Sequence, residues 1–381
     1  MREGSYRVAV IGGGIIGCAA AAYLAERGAS VSLFERATIG AGASGRNLGA
    51  IQHPFDAALA TLHHETLNLY RSLSADDLGF ALPPVPAGLL LLNRDAEAVR
   101  RQAERMALAL PELRPTFVED ARTQEPAVAP GIAACRLETA YPVPPRSATA
   151  AFASLAQRRG ADLRIGVHAE PWLDHERAVG VVLEDGSRAA ADAVLVAAGP
   201  WTPQLVDPTG HWEPIRATWG VTVQLRLPHA PRHVVEEDEV DAVNRPAAAT
   251  ARAAASSAAE PPSLFSLASA HGVSSLGSTF LPIEPDPVPV AGLLLHRAAA
   301  FLPSISSAEV MERRICARPQ SIDGRPFIGP VSGVEGLFVC AGHGPWGIST
   351  GPASARLVAD LILNAGHPLF EEVSANRSLP S

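Results

Sequence analysis

The stretch Val8-Ala9-Val10-Ile11-Gly12-Gly13-Gly14-Ile15-Ile16-Gly17, closed downstream by Glu35, decides the fold. Arg7 to Ile11 is an apolar run that predicts a buried strand. The glycines stand at G-x-G-x-x-G spacing, which predicts a tight turn into a helix. Gly12 allows the turn, Gly14 lets backbone approach a pyrophosphate, and Gly17 lets helix and strand pack closely. The Ala-rich stretch Cys18 to Leu24 continues the helix, and Gly28 ends it. Val31 to Phe34 is a second strand that delivers Glu35, a carboxylate suited to ribose hydroxyls and repelled by a 2′-phosphate. Unpaired N–H groups and the dipole at the helix N-terminus favour the phosphates. The motif identifies a dinucleotide cradle and leaves the dinucleotide itself open.

Working outward, 381 residues suggest two domains, and 47% hydrophobic residues supply sizeable cores. A net charge of -8 argues against general nucleic-acid binding. No apolar run reaches the length of a membrane span, and the strand at residue 7 leaves no room for a leader, so a cytoplasmic protein is expected. Cys18, Cys135, Cys316 and Cys340 lack C-x-x-C spacing, which fits a reducing compartment and no zinc site. The chain contains no lysine, which excludes Schiff-base chemistry and a phosphate-binding loop lysine.

A glycine-rich stretch, 40–49, fits backbone lying against a ligand. Helical spacing covers 56–73 and 95–109. Leu89 to Leu92 reads as a buried strand, and 142–158 as turn then helix. Strands are expected at 162–167, 179–183, 193–199 and 218–227, with further pieces near 264–281. Residues 246–262 are Ala/Ser/Pro-rich and read as a mobile surface loop. Leu337 to Ala341 is a strand, 342–347 a loop, and Pro352 to Leu363 a helix with proline in its first turn.

Four segments together resemble the FAD-dependent D-amino-acid oxidase / glycine oxidase / sarcosine oxidase superfamily. They are the glycine turn with Glu35; Gly42-Ala43-Ser44-Gly45-Arg46-Asn47; Val196-Ala197-Ala198-Gly199-Pro200-Trp201; and Arg318-Pro319 with Asp323 to Pro330 and Gly342 to Ile348. The resemblance implies an α/β fold, a Rossmann-type FAD-binding domain interleaved with an antiparallel β-sheet substrate domain. The FAD domain is expected over 1–80, 143–205 and 311–381, and the substrate domain over 81–142 and 206–310. It implies FAD contacts at Gly12, Gly14, Ile15, Ile16, Gly17, Glu35, Arg36, Ala43, Ser44, Leu48, Gly49, Ala50, Val167, Gly199 and Trp201. Gly344, Trp346, Gly347, Ile348 and Ser349 belong to the same implied set, near the flavin ring.

The implied chemistry is oxidation of a C–N bond in a D-amino acid, glycine derivative or N-alkyl or cyclic amino acid, by hydride transfer to flavin N5. Arg318 is the expected carboxylate anchor, because a guanidinium matches a carboxylate bidentately. A tie to Asp323 or Glu312 is the competing role. His343 is expected to help stabilise charge at the flavin, and His53 and Trp346 to reach the substrate cavity. The Pro345-Trp346 pair replaces polar residues of many relatives and points to a larger apolar or cyclic amine. Non-covalent FAD is favoured, with a link at Cys316 as the alternative. Oxygen or a quinone would accept the electrons. A 2-hydroxy-acid dehydrogenase and a flavin-binding subunit of a larger complex remain the rival readings.

Overall fold

The computed structural model describes residues 5–238, 264–364 and 369–379. The loop expected at 246–262 lies outside these residues. The chain opens with β1 (Arg7–Ile11), α1 (Ile15–Glu26), β2 (Ser30–Glu35), α2 (Ala43–Arg46), β3 (Ala50–Ile51) and α3 (Ala60–Ala75). It continues through β4 (Leu89–Asn93), α4 (Ala96–Ala109), β5 (Thr116–Val118), β6 (Ala133–Leu137), β7 (Tyr141–Pro142) and α5 (Ser147–Arg158). Then come β8 (Asp162–Ile165), β9 (Ala169–Asp174), β10 (Arg177–Leu183), β11 (Arg188–Ala190), β12 (Ala193–Val196) and α6 (Thr202–Val206). β13 (Ile215–Arg226), β14 (Val234–Glu237), β15 (Ser266–Ala270), β16 (Val273–Gly277) and α7 (Pro287–Ala299) follow. The chain closes with β17 (Glu309–Ser321), β18 (Phe327–Pro330), β19 (Leu337–Ala341) and α8 (Gly347–Ile362).

Among the described residues, one sheet has the order β18-β19-β12-β1-β2-β8. β1 pairs in parallel with both β2 and β12, and β12 with β19. Connections therefore leave β1 in both directions, and the crevice outside the carboxyl ends of β1 and β12 is where such sheets bind ligands. α1 is the reason the turn can be so tight. Ala19, Ala20, Ala21 and Ala22 are fully buried, and these small side chains let the helix lie close to the sheet, α5 and α8. Leu24, Leu33 and Phe152 complete that core, each worth about 1.5–3 kcal/mol of apolar burial.

The second sheet has the order β17-β13-β16-β15-β14-β4-β6-β5. It was expected to be antiparallel, but β4 and β14 run parallel, so the sheet is mixed. Leu89 to Leu92 is buried on both faces because β4 is a central strand with a helix-covered side, the pattern of a covered sheet. The boundary expected at 311 falls inside β17. That strand pairs with β13 from Glu309 to Ser321, so the change of sheet comes after Ser321.

The last helix also departs from expectation. It begins at Gly347, and Pro352 sits inside it. Proline has no N–H to return to the carbonyl four residues earlier. Here Tyr70 Oη–H donates to Ile348 O at 2.8 Å and fills that gap. The His63 Nδ1 lies 3.1 Å from Ser349 O, and Ala353 N–H donates to Thr66 Oγ1 at 3.2 Å. His63, Thr66 and Tyr70 share one face of α3 by their helical spacing, so α3 stitches the proline-interrupted start of α8.

Candidate active site

A cavity of about 510 Å³ lies at the carboxyl ends of the parallel strands. Gly12 follows β1, Glu35 ends β2, Gly199 follows β12 and His343 follows β19; all four line it. Arg36 and Trp201 wall one end, and their guanidinium-to-ring distance of 4.0 Å is a cation–π contact. Arg318, His343, Gly347 and Ile348 line the cavity as well.

The glycine turn is built as the spacing demands. Gly12 has φ +112°, and a Cβ there would lie 2.4 Å from Ala197 O. A Cβ on Gly17 would lie 1.9 Å from Gly12 O, so Gly17 is a packing glycine and does not line the cavity. α1 has Gly14 as N-cap with no side-chain cap of its own. Ser44 Oγ accepts from Ile15 N–H at 3.0 Å and links α2 to this turn. The Glu35 carboxylate accepts from Gly13 N–H at 2.7 Å and Ala37 N–H at 2.8 Å, which holds it beside the turn.

β17 supplies the chemistry. Arg314, Cys316 and Arg318 alternate along the strand, are all buried, and face the same way. Arg318 Nη1 donates to Thr279 O at 2.6 Å and Nη2 to Ser278 Oγ at 3.2 Å. Its guanidinium lies 4.6 Å from the Phe280 ring centroid. Burial lowers its pKa, yet no carboxylate lies within ion-pair reach among the described residues. Neither competing partner holds it: Asp323 pairs with Arg377 at 2.7 Å, and Glu312 belongs to an exposed part of β17. Arg46 and Arg314 cross-brace α2 to this strand. Arg46 Nη1 donates to Ile315 O at 2.9 Å, and Arg314 Nη2 to Asn47 O at 3.3 Å.

His343 corrects an expectation. Burial drives its pKa down to about 3, so it is neutral and supplies no positive charge. Its Nε2 lies 3.0 Å from Ser354 Oγ, whose own hydrogen goes to Thr350 O, so Nε2 carries the proton. Nδ1 is then a buried acceptor without a partner among the described residues, on a residue that lines the cavity.

Of the residues expected at the site, Gly12, Gly14, Ile15, Ile16, Glu35, Arg36, Ala43, Ser44, Val167, Gly199, Trp201, Arg318, His343, Gly344, Gly347 and Ile348 line the cavity, as does Cys316. Leu48, Gly49, Ala50, His53, Trp346 and Ser349 do not. Leu48 and Ala50 pack into the core around Leu89. Gly49 N–H donates to Asn47 Oδ1 at 2.8 Å. His53 stacks edge-on against His63, with ring centroids 4.9 Å apart. Trp346 packs edge-on against Phe55, with ring centroids 5.9 Å apart, and against the core around Ile348. Ser349 Oγ accepts from Gln52 N–H at 3.1 Å. Sequence reasoning missed His168 to Pro171, Leu173, Gln204 and Leu205, which line the cavity from β9 and α6. Their only signal is position after Val167 and Trp201.

These features fit a flavin dinucleotide: a helix N-terminus with glycine at its cap, a fixed carboxylate, a stacked Arg–Trp wall and a cavity in the size range of ligand sites. Comparison with known proteins agrees. Residues 7–361 match the family described as FAD dependent oxidoreductase. A glycine oxidase of Pseudomonas aeruginosa is 29% identical over 377 residues, covering 94% of this chain and 95% of that protein. The crystal structure of glycine oxidase from Geobacillus kaustophilus superposes with a TM-score of 0.80 at 26% identity, covering 99% of this chain and 100% of the other. That of Bacillus cereus gives 0.82 at 23%, with the same coverage, and shows the shared fold. The chain belongs to the FAD-dependent oxidoreductase family, and it is an enzyme that uses FAD.

Proposed function

We propose that this enzyme oxidises the C–N bond of a small amino acid: a D-amino acid, a glycine derivative, or an N-alkyl or cyclic amino acid. The observation that carries this reading is Arg318, a buried guanidinium that lines the cavity and, among the described residues, meets only neutral partners. A buried charge left without a counter-ion is costly, and a substrate carboxylate is the group that would compensate it. With the carboxylate held, the α carbon is oriented toward the rest of the cavity, and orientation supplies most of the acceleration. Bound FAD supplies the two-electron oxidant. Glu35, Arg36 and Trp201 would hold its adenosine half, and the turns at Gly12–Gly14 and Ala43–Ser44 its pyrophosphate. Gly344, Gly347 and Ile348 would aim backbone N–H groups and the α8 dipole at its other end. His343 stays neutral and offers an acceptor at Nδ1. Residues 1–80 and 143–205, with the chain after Ser321, would form the FAD-binding unit, and the β4 and β13 sheet the substrate unit. FAD is held without a covalent link, and a denatured-protein mass raised by one flavin would show Cys316 attached instead.

Pro345 lines the cavity and Trp346 does not, so the pair offers a substrate no second polar anchor, which favours a larger apolar or cyclic amine over glycine. The test is anaerobic mixing of the FAD-loaded enzyme with panels of amino acids and 2-hydroxy acids. Flavin bleaching by the amino acids supports the proposal; bleaching by hydroxy acids alone, or by neither, rejects it. Reoxidation by oxygen or by a quinone then assigns the acceptor.

A further inference from the structure

We infer that Gly220 is a positioning residue: its missing side chain is the floor of a slot that sets the plane of the Arg318 guanidinium. The inference rests on the reading of Arg318 as carboxylate anchor. β13 and β17 pair with Gly220 opposite Cys316 and Thr218 opposite Arg318, so Gly220 is the diagonal neighbour of Arg318. A Cβ on Gly220 would lie 2.4 Å from both Nη1 and Nη2 and 2.5 Å from Cζ. The guanidinium therefore lies directly on the Gly220 backbone. Gly220 is not among the residues with positive φ, so space and not backbone conformation requires glycine here.

The other walls come from an opening in the sheet. β13 pairs with β16 from Val223 to Leu225, and Trp219 pairs again with Leu281. Between them Val221 N–H turns to Thr279 Oγ1 at 2.9 Å. The segment Ser278–Phe280 so displaced surrounds the guanidinium: Thr279 O and Ser278 Oγ take one hydrogen from each Nη, and Phe280 covers a face. Each Nη keeps a second N–H, and Nε keeps its own, for a planar two-oxygen partner. A carboxylate is read bidentately only if that plane is fixed.

The clash in Gly220→Ala falls on the tip of a flexible side chain, so the substitution displaces the guanidinium and not the sheet. The experiment titrates FAD-loaded enzyme with glycolate, a carboxylate without an amine, and follows the flavin absorption. Gly220→Ala is expected to raise the glycolate Kd at least about tenfold, and amino-acid KM more than kcat, with FAD content and melting temperature retained. In an Arg318→Lys background the same change is expected to alter Kd less than about twofold, because an ammonium has no plane to set. A parent-like Kd in Gly220→Ala, or an equal loss in both backgrounds, overturns the inference while loss of binding in Arg318→Leu leaves the anchor reading standing. Parent-like glycolate binding in Arg318→Leu, or none in the parent, overturns the anchor reading and the inference with it. Should Gly220→Ala fail to load FAD, Phe280→Leu tests a second wall: a rise in Kd supports the slot, and a parent-like Kd overturns it.

Discussion

Arg318 and Arg377 are both nearly buried, yet the protein treats them oppositely. Arg377 Nε and Nη2 bond both oxygens of Asp323, at 2.7 and 2.9 Å. Its remaining hydrogens go to Pro326 O, Ser374 O and Arg325 O, and Phe327 lies 3.7 Å beneath it. Every donor is answered, and the result is a clasp that holds the chain after Val373 onto the turn at Asp323. Among the described residues Arg318 receives no carboxylate and keeps donors in reserve beside the cavity. Full compensation marks a structural charge, and withheld compensation marks one that waits for a ligand.

The largest expected effect breaks the Arg318 side of this contrast. Arg318→Leu should lower kcat/KM for amino-acid substrates about 10³-fold, roughly 4 kcal/mol, while FAD binding and melting temperature hold; steady-state kinetics and a thermal scan check both. Arg377→Leu should do the reverse. Leaving the half-buried Asp323 with the Arg325 N–H as its remaining donor should cost about 1.5–3 kcal/mol in denaturant unfolding, with KM of the folded enzyme unchanged. Arg377→Leu combined with Asp323→Asn should recover part of that loss.

A third prediction concerns neutral buried groups. His63 and His343 both have pKa values pushed down to about 3 by burial. Their folded pKa lies below the unfolded value of about 6.5, so the unfolded chain binds more protons between these limits. Stability is therefore full above about pH 6.5 and falls as pH drops toward 3. The two histidines contribute a slope of up to about 2.7 kcal/mol per pH unit, measurable by urea unfolding across pH 4–7. His63→Asn should flatten it. The smallest expected effect is Trp346→Phe, which should change KM less than about twofold because Trp346 faces Phe55. A large KM change would place it at the substrate after all.

The parts of the site nearest the glycine turn were legible because local chemistry writes them. Gly12 needs a positive φ, Gly17 needs contact with Gly12 O, and Glu35 ends an apolar strand; each is a short-range demand. The resemblance to a family added Arg318 and the loop at His343. Its implied residues Trp346 and Ser349 lie off the cavity lining, where packing against Phe55 and a hydrogen bond from Gln52 N–H hold them. The local reading of Pro352 as a first-turn proline failed because the missing N–H is made good by Tyr70, far away in sequence.

By itself the sequence determined the βαβ unit, the dinucleotide cradle and the absence of lysine chemistry, since spacing, turn residues and composition are local quantities. Only the tertiary structure decided which arginine is compensated, that His343 is neutral, and that Gly220 makes room for Arg318. Those properties depend on burial and on partners brought from distant segments, and no local pattern carries them.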